Sequence, residues 1–323
     1  KREDLQTTRS FKIRGALNKI LLNKNDKNIV CASAGNHAQG VAFSCNLINK
    51  KGIIFVPNTT PLQKIKRIKH FGKDNIELKL VGQNFQVTLD KALIYSEQNN
   101  CQFIHPYNDI DIITGQSTIA YEIFKDINPN FIISSIGGGG LISGLLSYNK
   151  INGNNCKIIG VEPENADSMT QAIINNKPIE LKYLDTFVDG ASVKKVGDLT
   201  FNFCKESLDD IKIIENGKLC YDLLEMYQEE GIILEPAGCL SVSALDLLDK
   251  NEIEGKNIIC ILSGGNNDVS RYPEIIEKSL VYQNIKHYYI IEFTQKPKEL
   301  KKFITGVLGE KDDITRFEYI KKT

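Results

Sequence analysis

Short runs of β-branched and aliphatic residues alternate with longer stretches of helical period along most of this chain, and that alternation constrains its fold most tightly. Strands are expected at residues 28–31, 52–56, 76–81, 131–136, 157–161, 211–214 and 257–262. Between them lie helical patterns at residues 38–47, 62–71, 85–97, 113–124, 141–149, 219–227, 240–248 and 275–281. Such an order predicts βαβ units with right-handed crossovers, hence an α/β fold whose mostly parallel sheets are covered on both faces. No internal repeat or low-complexity linker interrupts it. At 323 residues the chain can bury a substantial core, in two lobes or two domains. The texture changes after about residue 283. Residues 288–293 read as a strand, 297–308 as a helix and 314–320 as an edge strand, so 1–283 is expected to form one domain and 284–323 the start of a second, incomplete one.

Composition removes several classes of function. Lysine plus arginine, 40, balance aspartate plus glutamate, 40, with no basic stripe for nucleic acid. No apolar run reaches the roughly 18 residues of a membrane span. Partners are therefore expected to be small molecules and other copies of the chain. The eight cysteines sit mostly inside apolar runs without CxxC pairs, as buried thiols do in a reducing compartment such as the cytoplasm. The opening Lys1-Arg2-Glu3-Asp4 carries neither methionine nor a signal-peptide pattern, as if the chain were entered in mid-fold.

Four clusters could carry chemistry. Lys12 stands in Ser10-Phe11-Lys12-Ile13-Arg14-Gly15-Ala16, among apolar and small residues at the start of a helix. A solvated helix lysine is the plainer reading, but a desolvated amine has a lowered pKa and attacks carbonyls. Ser33-Ala34-Gly35-Asn36-His37 follows a strand and opens a helix, where small residues and N–H groups suit a carboxylate or phosphate; ordinary capping would need only one of them. Gly137-Gly138-Gly139-Gly140-Leu141 again joins strand to helix. Consecutive glycines there are entropically costly unless bare backbone is required, as in a phosphate nest. The Walker lysine is missing, so this is no P-loop. Ser263-Gly264-Gly265-Asn266-Asn267 follows the last strand, at the carboxyl edge where ligands collect, although by itself it reads as a turn. His70, His105 and His287 are taken as structural.

In type, order and spacing these clusters resemble the fold-type II pyridoxal-phosphate enzymes, in particular the threonine dehydratases (threonine ammonia-lyases), from Lys1 to about Tyr282. The resemblance implies two lobes, the smaller at about 28–105, with Lys12 holding pyridoxal 5'-phosphate as a Schiff base and Phe11 against the cofactor. Asn36 would meet its phenolic oxygen, and Gly137, Gly138, Gly139, Gly140 and Leu141 its phosphate. Ser263 would face the pyridine nitrogen, and the loop Ser33, Ala34, Gly35, Asn36 and His37 would close on the substrate carboxylate. Deamination of L-threonine to 2-oxobutanoate, the first committed step of isoleucine biosynthesis, is implied, with L-serine giving pyruvate on the side. Lys12 would take the α-proton. Related serine racemases carry a serine where this chain has Ala34, which favours elimination without racemisation. Their cation site uses positions matching Glu162 and Ala166, but Ser168 stands where its second carboxylate falls, so no divalent ion is expected there, while a monovalent one is left open. Residues 286–323 resemble the ACT-like regulatory domain of biosynthetic threonine dehydratases. That likeness implies isoleucine and valine as effectors and a homo-oligomer, tetramer or dimer, although Pro297-Lys298 replaces the usual Pro-Gly.

Three alternatives compete. One is a serine racemase or a β-replacing enzyme of the same cofactor class, and another is an amino-acid binding module without activity. The third is a nicotinamide-dependent dehydrogenase using Gly138–Gly144 for pyrophosphate and Glu162, about 20 residues further on, for a ribose.

Overall fold

Every expected strand in the first 283 residues forms. The computed structural model describes residues 1–23, 27–294 and 296–320, and divides into two units, Lys1–Ile285 and Lys286–Thr323. In the first unit the strands are β1 (Ile29–Ala32), β2 (Gly52–Val56), β3 (Ile76–Leu80), β4 (Gln102–Phe103), β5 (Phe131–Ser135), β6 (Lys157–Pro163), β7 (Asp210–Ile214) and β8 (Ile258–Cys260). They make two sheets, ordered β3-β2-β1-β4 and β7-β6-β5-β8, with every pairing parallel.

Burial on both faces explains the unbroken apolar runs. In β1, Ile29 and Cys31 join one core with Val41, Cys45 and Ile68, while Val30 and Ala32 face another built on Phe55 and Ala92. β5 divides likewise, Ile132 toward Leu145 and Phe201, Ile133 toward Leu219 and Leu240. The edge strands β3 and β7 are half-buried and carry charges. Three helices, Ser168–Ile174, Asp198–Ser207 and Lys250–Ile253, were not expected; the first and last are too short to display a period.

The second unit departs from expectation. Its helix, Glu299–Gly306, forms, but neither residues 288–293 nor residues 314–320 belong to a strand. A parallel pair has no stability unless both faces are covered and further strands join it. Here Tyr288, Tyr289 and Ile290 are exposed. Lys298 has φ +75°, a left-handed conformation that glycine adopts without strain. Among the described residues no helix is long and apolar enough to cross a membrane.

Candidate active site

Lys12 reaches its place because the preceding residues run alongside the segment that follows β8. Glu3 N–H donates to the Leu262 carbonyl at 3.0 Å, Gly265 N–H to Arg9 at 2.9 Å and Phe11 N–H to Ser263 at 3.1 Å. The helix Lys12–Leu21 then begins beside Ser263. Arg14 anchors it, making paired hydrogen bonds of 2.6–2.8 Å to both Glu3 and Glu122. Its hydrogen bonds pull the Glu122 carboxyl down to about 2. Glycines bring the neighbouring helices into backbone contact. A Cβ on Gly40 would lie 3.1 Å from the Lys12 carbonyl oxygen, and one on Gly115 2.6 Å from that of Arg14. The Lys12 Nζ donates to Pro106 O at 2.9 Å and lies 5.2 Å from the Phe11 ring centroid. Some of the side chain remains accessible, yet burial of the amine brings its pKa down to about 8, with Glu235 opposing the shift.

The loop after β1 is self-supporting. Gly35 N–H donates to Ser33 Oγ at 3.2 Å, and nothing lies within 4 Å of where a Gly35 Cβ would stand, so this backbone faces open space. Ala34 packs against the small-lobe core. Asn36 opens the helix Asn36–Leu47 and reaches Glu235 and Asn266 across the cleft. His37 departs from the expected substrate contact. Its ring is buried, with Nε2 2.9 Å from Ile104 O, and burial followed by the Lys12 charge lowers its pKa to about 3. A neutral ring whose Nε2 donates inward brings no positive charge to a substrate carboxylate.

The glycine loop joins β5 to the helix Gly140–Ile151. Among the described residues, the N–H groups of Gly138, Gly139, Gly140 and Leu141 find no backbone acceptor. Gly139 has φ +91°. Side chains are excluded by packing: a Cβ on Gly138 would come 2.3 Å from the Tyr107 ring, and one on Gly139 2.8 Å from Thr200. Unpaired donors at a helix N-terminus suit a phosphate dianion. Ser263 is buried, its Oγ 3.3 Å from Ser135 Oγ and 3.2 Å from Ala237 O, a neutral hydroxyl pair where β5 and β8 end side by side. A reactive amine, a phosphate cradle, an amide and a neutral hydroxyl fit pyridoxal phosphate by the chemistry of the donor set.

Several residues here were missed. Residues 105–108 link Lys12 to the glycine loop. Pro106 takes the lysine's hydrogen bond, Tyr107 covers Gly138, and His105 Nδ1 accepts from Tyr107 N–H at 3.2 Å and Asn108 N–H at 2.8 Å. Glu235 is buried in the cleft, and burial raises its carboxyl to about 7. Its only sequence signal is Pro236 just after it, a helix-start pattern. Glu162 is occupied by its own chain. Its carboxylate is fully buried and accepts from Met169 N–H at 2.7 Å, Thr170 N–H at 2.9 Å and Thr170 Oγ1 at 2.7 Å, so it caps a helix and does not reach out to a ribose. Ala166 gives its N–H to Pro163 O. Among the described residues no set of three or more His, Cys, Asp or Glu side chains could hold a metal ion.

Comparison with known proteins agrees with this geometry. Residues 1–264 match the family described as "Pyridoxal-phosphate dependent enzyme", and residues 277–323 match "C-terminal regulatory domain of Threonine dehydratase". The L-threonine dehydratase biosynthetic IlvA of Staphylococcus epidermidis is 49% identical, the match covering 100% of this chain and 78% of the relative. Its Staphylococcus aureus counterpart is 48% identical over the same shares. Among solved structures, the processed form of threonine deaminase isoform 2 from Solanum lycopersicum superposes with a TM-score of 0.82 at 36% identity, covering 86% of this chain and 82% of that one. Maize serine racemase gives 0.75 at 28% identity, with 87% of each chain covered.

Proposed function

The chain belongs to the pyridoxal-phosphate dependent enzymes and, within them, to the biosynthetic threonine dehydratases, and from that premise we propose how its residues divide the work. The reaction converts L-threonine to 2-oxobutanoate and ammonia through loss of water across the α and β carbons. The observation that carries the assignment is the Lys12 amine, buried against Pro106 O and the Phe11 ring and brought down by that burial to about 8. Pyridoxal phosphate, when bound, supplies a carbonyl for covalent attachment of an amino group and an electron sink for the α-carbon.

The unpaired N–H groups of Gly138, Gly139, Gly140 and Leu141, with Gly137, would hold its phosphate. Asn36 would donate to the phenolic oxygen, Phe11 would lie against the ring, and Ser263 would meet the pyridine nitrogen. A hydroxyl there does not force protonation of that nitrogen, which suits elimination. Lys12 anchors the group and then, freed by the substrate amine, removes the α-proton. Ser33, Gly35, Asn36 and the His37 backbone receive the substrate carboxylate at the open mouth of the loop. Ala34 offers no proton on the opposite face, which sets this chain apart from racemases.

L-Serine is the proposed side substrate, giving pyruvate. Isoleucine and valine are the proposed effectors, supported by the match of residues 277–323 to a regulatory domain. Eight free cysteines, six of them buried, are consistent with a cytoplasmic setting, and a homo-oligomer, dimer or tetramer, is the proposed assembly. The variant Lys12→Ala tests the central assignment. It should lose the holoenzyme's visible absorbance and at least a thousandfold of 2-oxobutanoate release together; sustained turnover would refute Lys12 as the base.

A further inference from the structure

Asn36 is clamped from both ends. Its Nδ2 donates to Glu235 Oε1 at 2.6 Å, and its Oδ1 accepts from Asn266 Nδ2 at 2.7 Å. The second hydrogen of Asn266 Nδ2 goes to Thr8 O at 2.8 Å, so the donor end of Asn266 is fully committed. Ionised, Glu235 can only accept, and Asn266, committed to Thr8 O, can only donate, so the Asn36 amide has one allowed orientation. Turned over, it would set an oxygen against the Glu235 carboxylate and an NH2 against another NH2. What remains for the cleft is a single N–H of Asn36.

The three partners come from different parts of the first unit. Asn36 begins a helix of the small lobe, Glu235 precedes the helix Pro236–Ser243, and Asn266 lies in the loop after β8. Gly264 makes the arrangement sterically possible. A Cβ there would stand 2.3 Å from Glu235 Oε1, so the glycine after Ser263 vacates the space the carboxylate fills.

We propose that Glu235 is a positioning residue for the deamination, fixing Asn36 as a hydrogen-bond donor toward the phenolic oxygen of the cofactor. The inference rests on the reading of Asn36 as a cofactor contact and adds the group that orients it. Loss of the acceptor frees the amide to rotate and weakens its hold on that oxygen.

The test compares Glu235→Met, which keeps length but removes the acceptor, with Glu235→Gln, which keeps an acceptor oxygen. Both are made as full-chain holoenzymes and assayed with L-threonine. Glu235→Met should lower kcat at least tenfold, shift the visible absorbance maximum and leave KM within about threefold. Glu235→Gln should recover kcat to within about threefold of the parent, with its absorbance maximum. Should the methionine variant not fold, Asn266→Ala removes the opposite clamp and is expected to move kcat and spectrum the same way. Parental kcat and spectrum in Glu235→Met (or in Asn266→Ala, if that variant must stand in), or equal impairment of the Met and Gln variants, would overturn the proposal. A parent enzyme without visible absorbance or 2-oxobutanoate release would instead overturn the cofactor reading itself.

Discussion

At the scale of single residues, the site is organised by side chains that burial keeps uncharged or near the point of losing charge. Lys12 is brought to about 8 and His37 to about 3, each mainly by desolvation. His37 has a consequence for stability. Its folded pKa lies below the unfolded value of 6.5, so the unfolded chain takes up a proton that the folded chain refuses as pH falls below 6.5. Stability is then lost by about 1.4 kcal/mol per pH unit for this one group. Over this range His105, lowered to about 4, adds to the loss, while the raised carboxyls of Glu235 and Glu162 oppose it, so the test is a difference. In urea unfolding of the apo chain between pH 6.5 and 4.5, His37→Gln should change the pH dependence by about one proton relative to the parent, and an unchanged dependence contradicts the burial argument. Residues at the ends of elements were legible in the sequence because their oddity is local: a lysine among small apolar residues, a run of glycines, a serine after an apolar strand. Glu235 was not legible, because its role is created by Asn36, 199 positions away. Pro106 is likewise 94 positions from the amine it receives.

Among the elements, the helix Lys12–Leu21 carries the chemistry and its neighbours fix its position. Contact without side chains does this, at Gly40 on one flank and at Gly115 and Gly15 on another. A Cβ on Gly115 would stand 2.6 Å from both the Arg14 carbonyl oxygen and the Gly15 Cα, with only backbone to yield. Gly115→Ala should therefore cost about 1–3 kcal/mol of stability by overpacking. The displacement of Lys12 should lower kcat more than that stability loss implies, read from denaturant unfolding beside steady-state kinetics. An alanine variant with parental kcat would show that the glycine contact does not position the lysine. The strands of the two sheets could be read from sequence because each apolar run is buried on both faces. β4 escaped because two residues display no pattern, and, among the described residues, 288–293 and 314–320 pair with no strand.

Across the whole molecule, two parallel sheets deliver their carboxyl edges to one cleft. The small lobe contributes Asn36 and the loop after β1, while the large lobe contributes the glycine loop, Ser263, Glu235 and Asn266. The N-terminal segment, hydrogen-bonded along the residues after β8, carries Lys12 between them. Fold class and site type follow from the order of elements and the four junction clusters. The coupling between clusters appears only once long-range contacts are known. The central claim is that Lys12 is the amine to which the cofactor attaches. Borohydride reduction of the holoenzyme, followed by proteolysis and mass mapping, tests it most directly. A pyridoxyl group on the peptide bearing Lys12, with loss of the visible absorbance, is the predicted result; the same group on another lysine, or on none, would contradict it.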